Sequence, residues 1–456
     1  MSVNHSLDFI ENTIKEDPNN AEAWRIKGDI LFSQSSFYPS LVCYSKSIAC
    51  DPNYFDAWCS KGKVSIFQDN ALDALQCLDK AISVKQNPTA FRLKSHAITA
   101  SKSNQNKIQK IIETGLKMEP ENFDLLTSQA LHFRNFAQKE KSVSIFEKIL
   151  TIDPDNIIAL ISLERFKNPV DFDIINYICR KFSLEKNNLK ELESFADQFF
   201  FNFDLISAES CYDYLISLKN PNQNIFKKIT RIHLMKNDIK QAHEGFVNLL
   251  QNDKNDSDSW VRLGEIYRRQ NKMLDAIECF DSALEIMPDN AEAWRRKGFA
   301  QSLRHENITE AIKCLDKSLE LEPYHPMTLT QKSMYLRRVG DNDDAIYCLN
   351  SALEMDSTFI LAWKQKAETL TSMNNLEGTL DCYDEILKID PEDIITWYNT
   401  GVTKARFCEI QFQTGKLFFD KAKYSQAADC FNKVLKFDPL DKESILLFDK
   451  SNKNIP

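Results

Sequence analysis

Tryptophan occurs six times in this chain, in pairs 34 residues apart: Trp24 and Trp58, Trp260 and Trp294, Trp363 and Trp397. Glycine follows four residues after five of them, at Gly28, Gly62, Gly264, Gly298 and Gly401. Proline follows 28 residues after Trp24, Trp260 and Trp363, at Pro52, Pro288 and Pro391, and 29 residues after Trp294, at Pro323. A fixed period of this length means one supersecondary unit copied along the chain, each copy too small to bury its own apolar face.

Residues 257–290, "SDSWVRLGEIYRRQNKMLDAIECFDSALEIMPDN", show the unit most clearly. Trp260, Leu263, Gly264 and Tyr267 recur at the spacing of one helix face, and Ala276, Phe280 and Ala283 make a second face. "MPDN" ends the second helix, because proline disfavours helical geometry in the residue before it. The small Gly264 and Ala276 let two antiparallel helices approach, and Trp260, Tyr267 and Phe280 fill the space beside them. With only 10 glycines in 456 residues, strand and turn punctuation is scarce, which also favours helix.

The pattern W-x2-L-G-x2-Y, then A-x3-F, then P resembles the tetratricopeptide repeat family. The resemblance is close at 21–88, 123–156 and 257–393. It is recognisable at 89–122, which keeps Pro120, at 189–222, which keeps Ala208, Tyr212 and Leu215, and at 223–256, which keeps Ala242, Phe246 and Leu249. It is poor at 157–188, interrupted by "KNPVDFD". It implies an all-α chain: an α-solenoid of about twelve helix-turn-helix units in a right-handed superhelix, first helices lining the inner wall.

The expected organisation is a capping helix in 1–20, a first array over 21–156, divergent repeats over 157–222, a second array over 223–440 and a capping helix with tail over 441–456. After Trp397 and Gly401 the pattern restarts 14 residues late, at Gly415, Phe418, Ala427, Phe431 and Pro439. One long first helix over about 394–421 is predicted, because fourteen residues make close to four helical turns.

The chemistry of enzymes is missing from the pattern. Of twelve cysteines, Cys43, Cys77, Cys211, Cys279, Cys314, Cys348, Cys382 and Cys430 each sit just before the second-helix aromatic or leucine of a repeat. Neighbouring copies are then roughly 10 Å apart, beyond disulfide or shared-metal reach, so cysteine is expected as a small buried hydrophobe. No C-x2-C, H-E-x-x-H or phosphate-loop motif occurs, and the seven histidines, His5, His96, His132, His233, His243, His305 and His325, pair with no nucleophile. No catalytic residue, metal or cofactor is predicted, and no small-molecule substrate. The acidic N-terminus lacks a signal pattern and no apolar run is long enough to span a bilayer, which points to the cytoplasm and away from membranes. A net charge of −9 disfavours nucleic acid.

Against that acidity, seven arginines gather at positions 5, 6, 12 and 13 of three consecutive first helices: Arg262, Arg268, Arg269, Arg295, Arg296, Arg337 and Arg338. The resemblance places this stripe in a concave groove, with Phe299, Met334 and Lys364 beside it. Two readings compete: solvated helix faces, or a site for acidic or phosphorylated segments, since the guanidinium fork matches carboxylate and phosphate. A chaperone-type carboxylate clamp is not expected at 21–122, where Arg25 is in place but Asp29 and Ser60 replace the asparagines and Ala90 and Lys94 fit only half. A second candidate surface is "FADQFFFNFDL", where Phe195 and Phe199 take core positions and Phe200 and Phe201 groove positions. The expected function is a non-enzymatic scaffold binding partner proteins or peptides in the groove. A substrate-selecting or regulatory subunit of an enzyme complex is the alternative, and single-stranded RNA binding a weaker one.

Overall fold

In the computed structural model all six tryptophans make the same bond. Each indole Nε1 donates to the backbone carbonyl six residues earlier: Trp24 to Pro18, Trp58 to Pro52, Trp260 to Lys254, Trp294 to Pro288 and Trp397 to Pro391, each at 2.9 Å, and Trp363 to Ser357 at 2.8 Å. The ring ties each first helix to the turn that precedes it. That task keeps its edge near solvent, so Trp24, Trp58, Trp260, Trp294 and Trp363 are half-buried rather than buried. The structure describes residues 3–455 except 101–104, 170–171, 187, 219–222, 305–306 and 324; His305 lies outside the described residues.

Among the described residues there are twenty-six helices and no strand, ordered as a single helix Val3–Glu16, twelve antiparallel pairs and a last single helix Lys442–Lys453. The unit read at 257–290 is the pair Ser257–Arg269 and Met273–Ile286. Asp256 caps its first helix by accepting from the Ser259 amide, satisfying one of the donors a helix start leaves open. Gly264 is required by close approach: a Cβ there would stand 2.7 Å from the Phe280 ring.

The repeat phase is also written in the backbone. Among the described residues the turn inside most pairs places one residue in the left-handed region: Ser35 and Asp69, then Ala137, then Phe203, Asn237 and Asn271, then Gly340 and Asn374. Within each run the step is 34 residues. After Asn374 the next such residue is Ala422, because Ile394–Asp420 runs on as one helix of 27 residues.

The chain divides into two compact units, residues 1–297 and 298–456, with the helix Ala291–Ser302 crossing between them. The first unit runs through residues 156 and 222 without a break, and the reason lies in how it packs. Its helix pairs curl until the early first helices meet the late ones. Phe67, at the end of the helix Phe55–Phe67, has its ring centroid 4.7 Å from Phe200 and stacks on Phe203 at 4.8 Å. The Tyr38 hydroxyl donates to the Asp289 carbonyl at 3.0 Å and accepts from the Ala291 amide at 2.8 Å. Residues about 250 positions apart in sequence are thereby locked into one body, and 257–297 belongs with 21–100.

Candidate partner-binding surface

Arg295 and Arg296 project into the protein. Arg295 donates to Asp73 at 2.8 Å with both side chains buried. Arg262, one of the most deeply buried side chains, donates to the Gln68 carbonyl at 2.9 Å and to Glu292. Arg296 bridges Glu292 at 2.8 Å and Glu265 at 3.0 Å. Arg268 bonds Glu265, and Arg269 reaches both Glu265 and Asp69. Arg231, which the groove pattern had not singled out, pairs with Asp258 and lies 4.4 Å above the Phe37 ring. The carbonyls of Phe67 and Gln68 end the helix Phe55–Phe67 without an intrahelical partner, and the guanidinium groups of Arg231 and Arg262 supply one.

The five arginines between 262 and 296 are therefore set in a ladder of internal acids, and the groove they line is filled by the chain itself. One cavity of the first unit, of about 190 Å³, is lined by residues that include Ser95, His96, Ser128, His132 and Phe203. That is below the roughly 300 Å³ at which small-ligand pockets begin, and far short of a peptide channel. Phe200 is buried and Phe201 half-buried against Phe32 and Phe67, so the aromatic segment is core and not a contact for a partner helix. The sequence reading had not singled out the acids: Asp258 and Glu292 share position 2 of consecutive first helices, whereas Asp69 and Asp73 lie in the turn and second helix after Trp58.

Burial alone would raise the Glu265 and Glu292 carboxyls. The surrounding guanidiniums outweigh it, Arg296 leading at Glu265 and Arg262 at Glu292, and hold both at about 2 against an ordinary 4.5. Because these folded values lie below the unfolded ones, the stabilisation is complete above pH 4.5 and drains away as pH falls toward 2. The thermal midpoint of the full chain is therefore expected to fall steeply between about pH 5 and pH 2, and the fall to be shallower in Glu292→Gln. A variant slope equal to the parent's would remove this assignment.

The eight repeat-position cysteines are buried thiols, and burial pushes Cys211 and Cys279 up to about 12. Among the described residues no group of three metal-ligating side chains occurs, and no helix is long and apolar enough to cross a membrane.

The second unit is different. Arg337 pairs with Glu368 at 2.7 Å and Gln365 at 3.2 Å, Lys364 with Asp393 at 2.6 Å, and the exposed Arg338 donates to the Ser302 carbonyl at 3.2 Å. Met334 and Phe299 are half-buried on the cluster of Ala311, Leu315 and Tyr335. Beyond them, on Ile394–Asp420, Ile395, Tyr398 and Val402 form an apolar stripe 67%, 71% and 51% exposed. This surface joins cations to open apolar side chains.

The tetratricopeptide repeat family profile matches residues 257–290. No curated protein matches the chain. Among solved structures, a tetratricopeptide repeat protein from Parabacteroides merdae ATCC 43184 is 15% identical with a TM-score of 0.41, over 58% of this chain and 98% of that one. YrrB, described as a TPR protein with an unusual peptide-binding site, is 20% identical with a TM-score of 0.31, over 46% of this chain and 99% of its own. The APC/C hetero-tetramer Cut9–Hcn1 is 15% identical with a TM-score of 0.35, over 94% of this chain and 76% of its own. The profile falls on the unit that the sequence displays most clearly. The indole bonds recur along the helix pairs on either side of it, and the chain carries a tetratricopeptide repeat at residues 257–290.

Proposed function

We propose that this protein is a non-enzymatic interaction scaffold of the cytoplasm whose partners dock on the first-helix surface of residues 326–402. The observation that carries this reading is the stripe Ile395, Tyr398 and Val402, apolar and exposed on the helix capped by Asp393, which pairs with Lys364 of the preceding first helix, where Glu368 in turn pairs with Arg337. Large open apolar side chains next to cations suit a protein segment with an apolar anchor and a neighbouring acid or phosphate. The 262–296 arginines are not part of the docking surface, because a ligand would have to displace Glu265, Glu292, Asp69 and Asp73 from buried pairs. Twelve thiols and no disulfide accord with a reducing compartment.

The test is capture of partners by the purified full chain and by two variants. Ile395→Asp with Val402→Asp is expected to abolish retention of the captured protein. Tyr347→Asp, at a side chain equally exposed but on a second helix, is expected to leave it unchanged. Retention equal in the two variants would refute the surface. Raising salt from about 0.05 to 0.5 M should weaken binding about tenfold if the arginines take part, since the Debye length shortens with ionic strength. Affinity indifferent to salt would remove the acidic partner.

A further inference from the structure

The cavity of about 190 Å³ in the first unit has buried apolar walls formed by Ile66, Ile108, Ile112 and Leu131. Its edge, at Thr99, Asn135 and Asn237, is exposed to solvent. Among these walls stands His132, only 6% exposed, and neither of its ring nitrogens has a hydrogen-bond partner among the described residues. Native proteins leave few buried polar side chains in that state, and each calls for a reason. His96 lines the same cavity, its Nε2 3.0 Å from the Ser128 hydroxyl. Phe203 closes one side, its ring stacked 4.1 Å from that of His96. The backbone of Phe203 is left-handed, with φ 63°, an unusual conformation for a bulky residue. The other left-handed positions among the described residues carry Ser, Asp, Ala, Asn or Gly.

We infer that this cavity binds a small neutral aromatic molecule bearing a hydroxyl, a phenol in chemical class, with the hydroxyl bonded to His132. The range that opens near 300 Å³ is that of drug-sized ligands, whereas an apolar cavity of about 150 Å³ already takes up benzene. The ring of the ligand accounts for the apolar and aromatic walls. A hydroxyl both donates and accepts, so it satisfies a neutral imidazole whichever nitrogen carries the proton. Burial keeps both imidazoles neutral, pushing His132 down and His96, with Arg92 nearby, to about 3. An ionic ligand gains little there: the charged side chains that line the cavity, Asp69 and Lys236, are already paired with Arg269 and Glu209. The walls come from segments spread between residues 66 and 237, so the occupied site stabilises the curled form of the first unit. This site is independent of the docking surface proposed on the second unit, and its test involves no protein partner.

The experiment is calorimetric titration of the full chain with phenol, and with toluene as a ring of similar size that lacks the hydroxyl. The parent is expected to take up one phenol with a dissociation constant on the order of 0.1–1 mM, and toluene at least tenfold more weakly. In His132→Phe the preference should vanish, phenol falling at least tenfold while toluene is held as before or better. Phenylalanine keeps a ring in place and removes the unpartnered nitrogens, so this variant is expected to fold, with circular dichroism as the check. Ser95→Leu, at a buried position in the wall, should fill the cavity and abolish binding of both. With histidine rings labelled for NMR, phenol should shift the His132 and His96 signals and leave His325, in the second unit, unmoved. No uptake of phenol at about 5 mM would overturn the proposal. So would equal affinity of the parent for the two rings, or a preference for phenol that survives His132→Phe. Should a variant disturb folding, the preference of the parent and the histidine signals decide the matter.

Discussion

Replacing Glu292 by glutamine is expected to destabilise the first unit by about 3–5 kcal/mol, the usual cost of leaving a buried ion without its partner. Glu292 is buried and serves Arg262, itself buried, as well as Arg296. Glutamine keeps the shape and removes the charge, so two guanidiniums would face each other across a site sealed from water. Urea unfolding of the full chain measures the loss. Glu368→Gln is the comparison: its pair with Arg337 is half exposed, and such pairs contribute about 0–1 kcal/mol. Equal effects from the two variants would show that the buried ladder is no more than a surface network. The further variant Arg262→Met with Glu292→Met should recover most of the loss, because exchanging a whole buried pair for apolar side chains is often neutral.

Phe67→Ala is expected to cost a similar 3–5 kcal/mol, as transfer energy is lost and a cavity is left among side chains that cannot collapse into it. Phe67 has no exposed surface and touches rings from two distant parts of the chain, Phe32 at 5.6 Å and Phe200 at 4.7 Å. Phe9→Ala, at a ring 70% exposed, should change stability by less than about 0.5 kcal/mol. Hydrogen exchange is the second readout: opening should rise at 189–203 as well as around residue 67, since the ring joins both. Exchange that rises only near residue 67 would mean the two parts are not energetically linked. A cycle with Phe200→Ala should give a coupling of about 0.5–1.5 kcal/mol, the range for packed aromatic pairs.

The repeat could be read without coordinates because its causes are local. Trp260 bonds a carbonyl six residues away, and Gly264 makes room for a ring 16 residues away, so a 34-residue window holds nearly everything that shapes a helix pair. The late restart at Gly415 was visible for the same reason. That these arginines lie on a stripe rotated away from the core of their own pair followed from helix geometry. What waited there did not: Arg269 meets Asp69, and Arg295 meets Asp73, across 200 and 222 residues. The aromatic segment near Phe200 was ambiguous for the same cause, its neighbours Phe32 and Phe67 lying more than 130 positions away.

Residue order alone thus determined the helix pair, its copying along the chain and the delayed partner of Ile394–Asp420, since each depends on contacts within one or two repeats. Tertiary structure decided which inner surfaces stay open. A small rotation from each pair to the next accumulates over many repeats. In the first unit it brings the acids of one end onto the arginines of the other, a meeting no window of sequence contains.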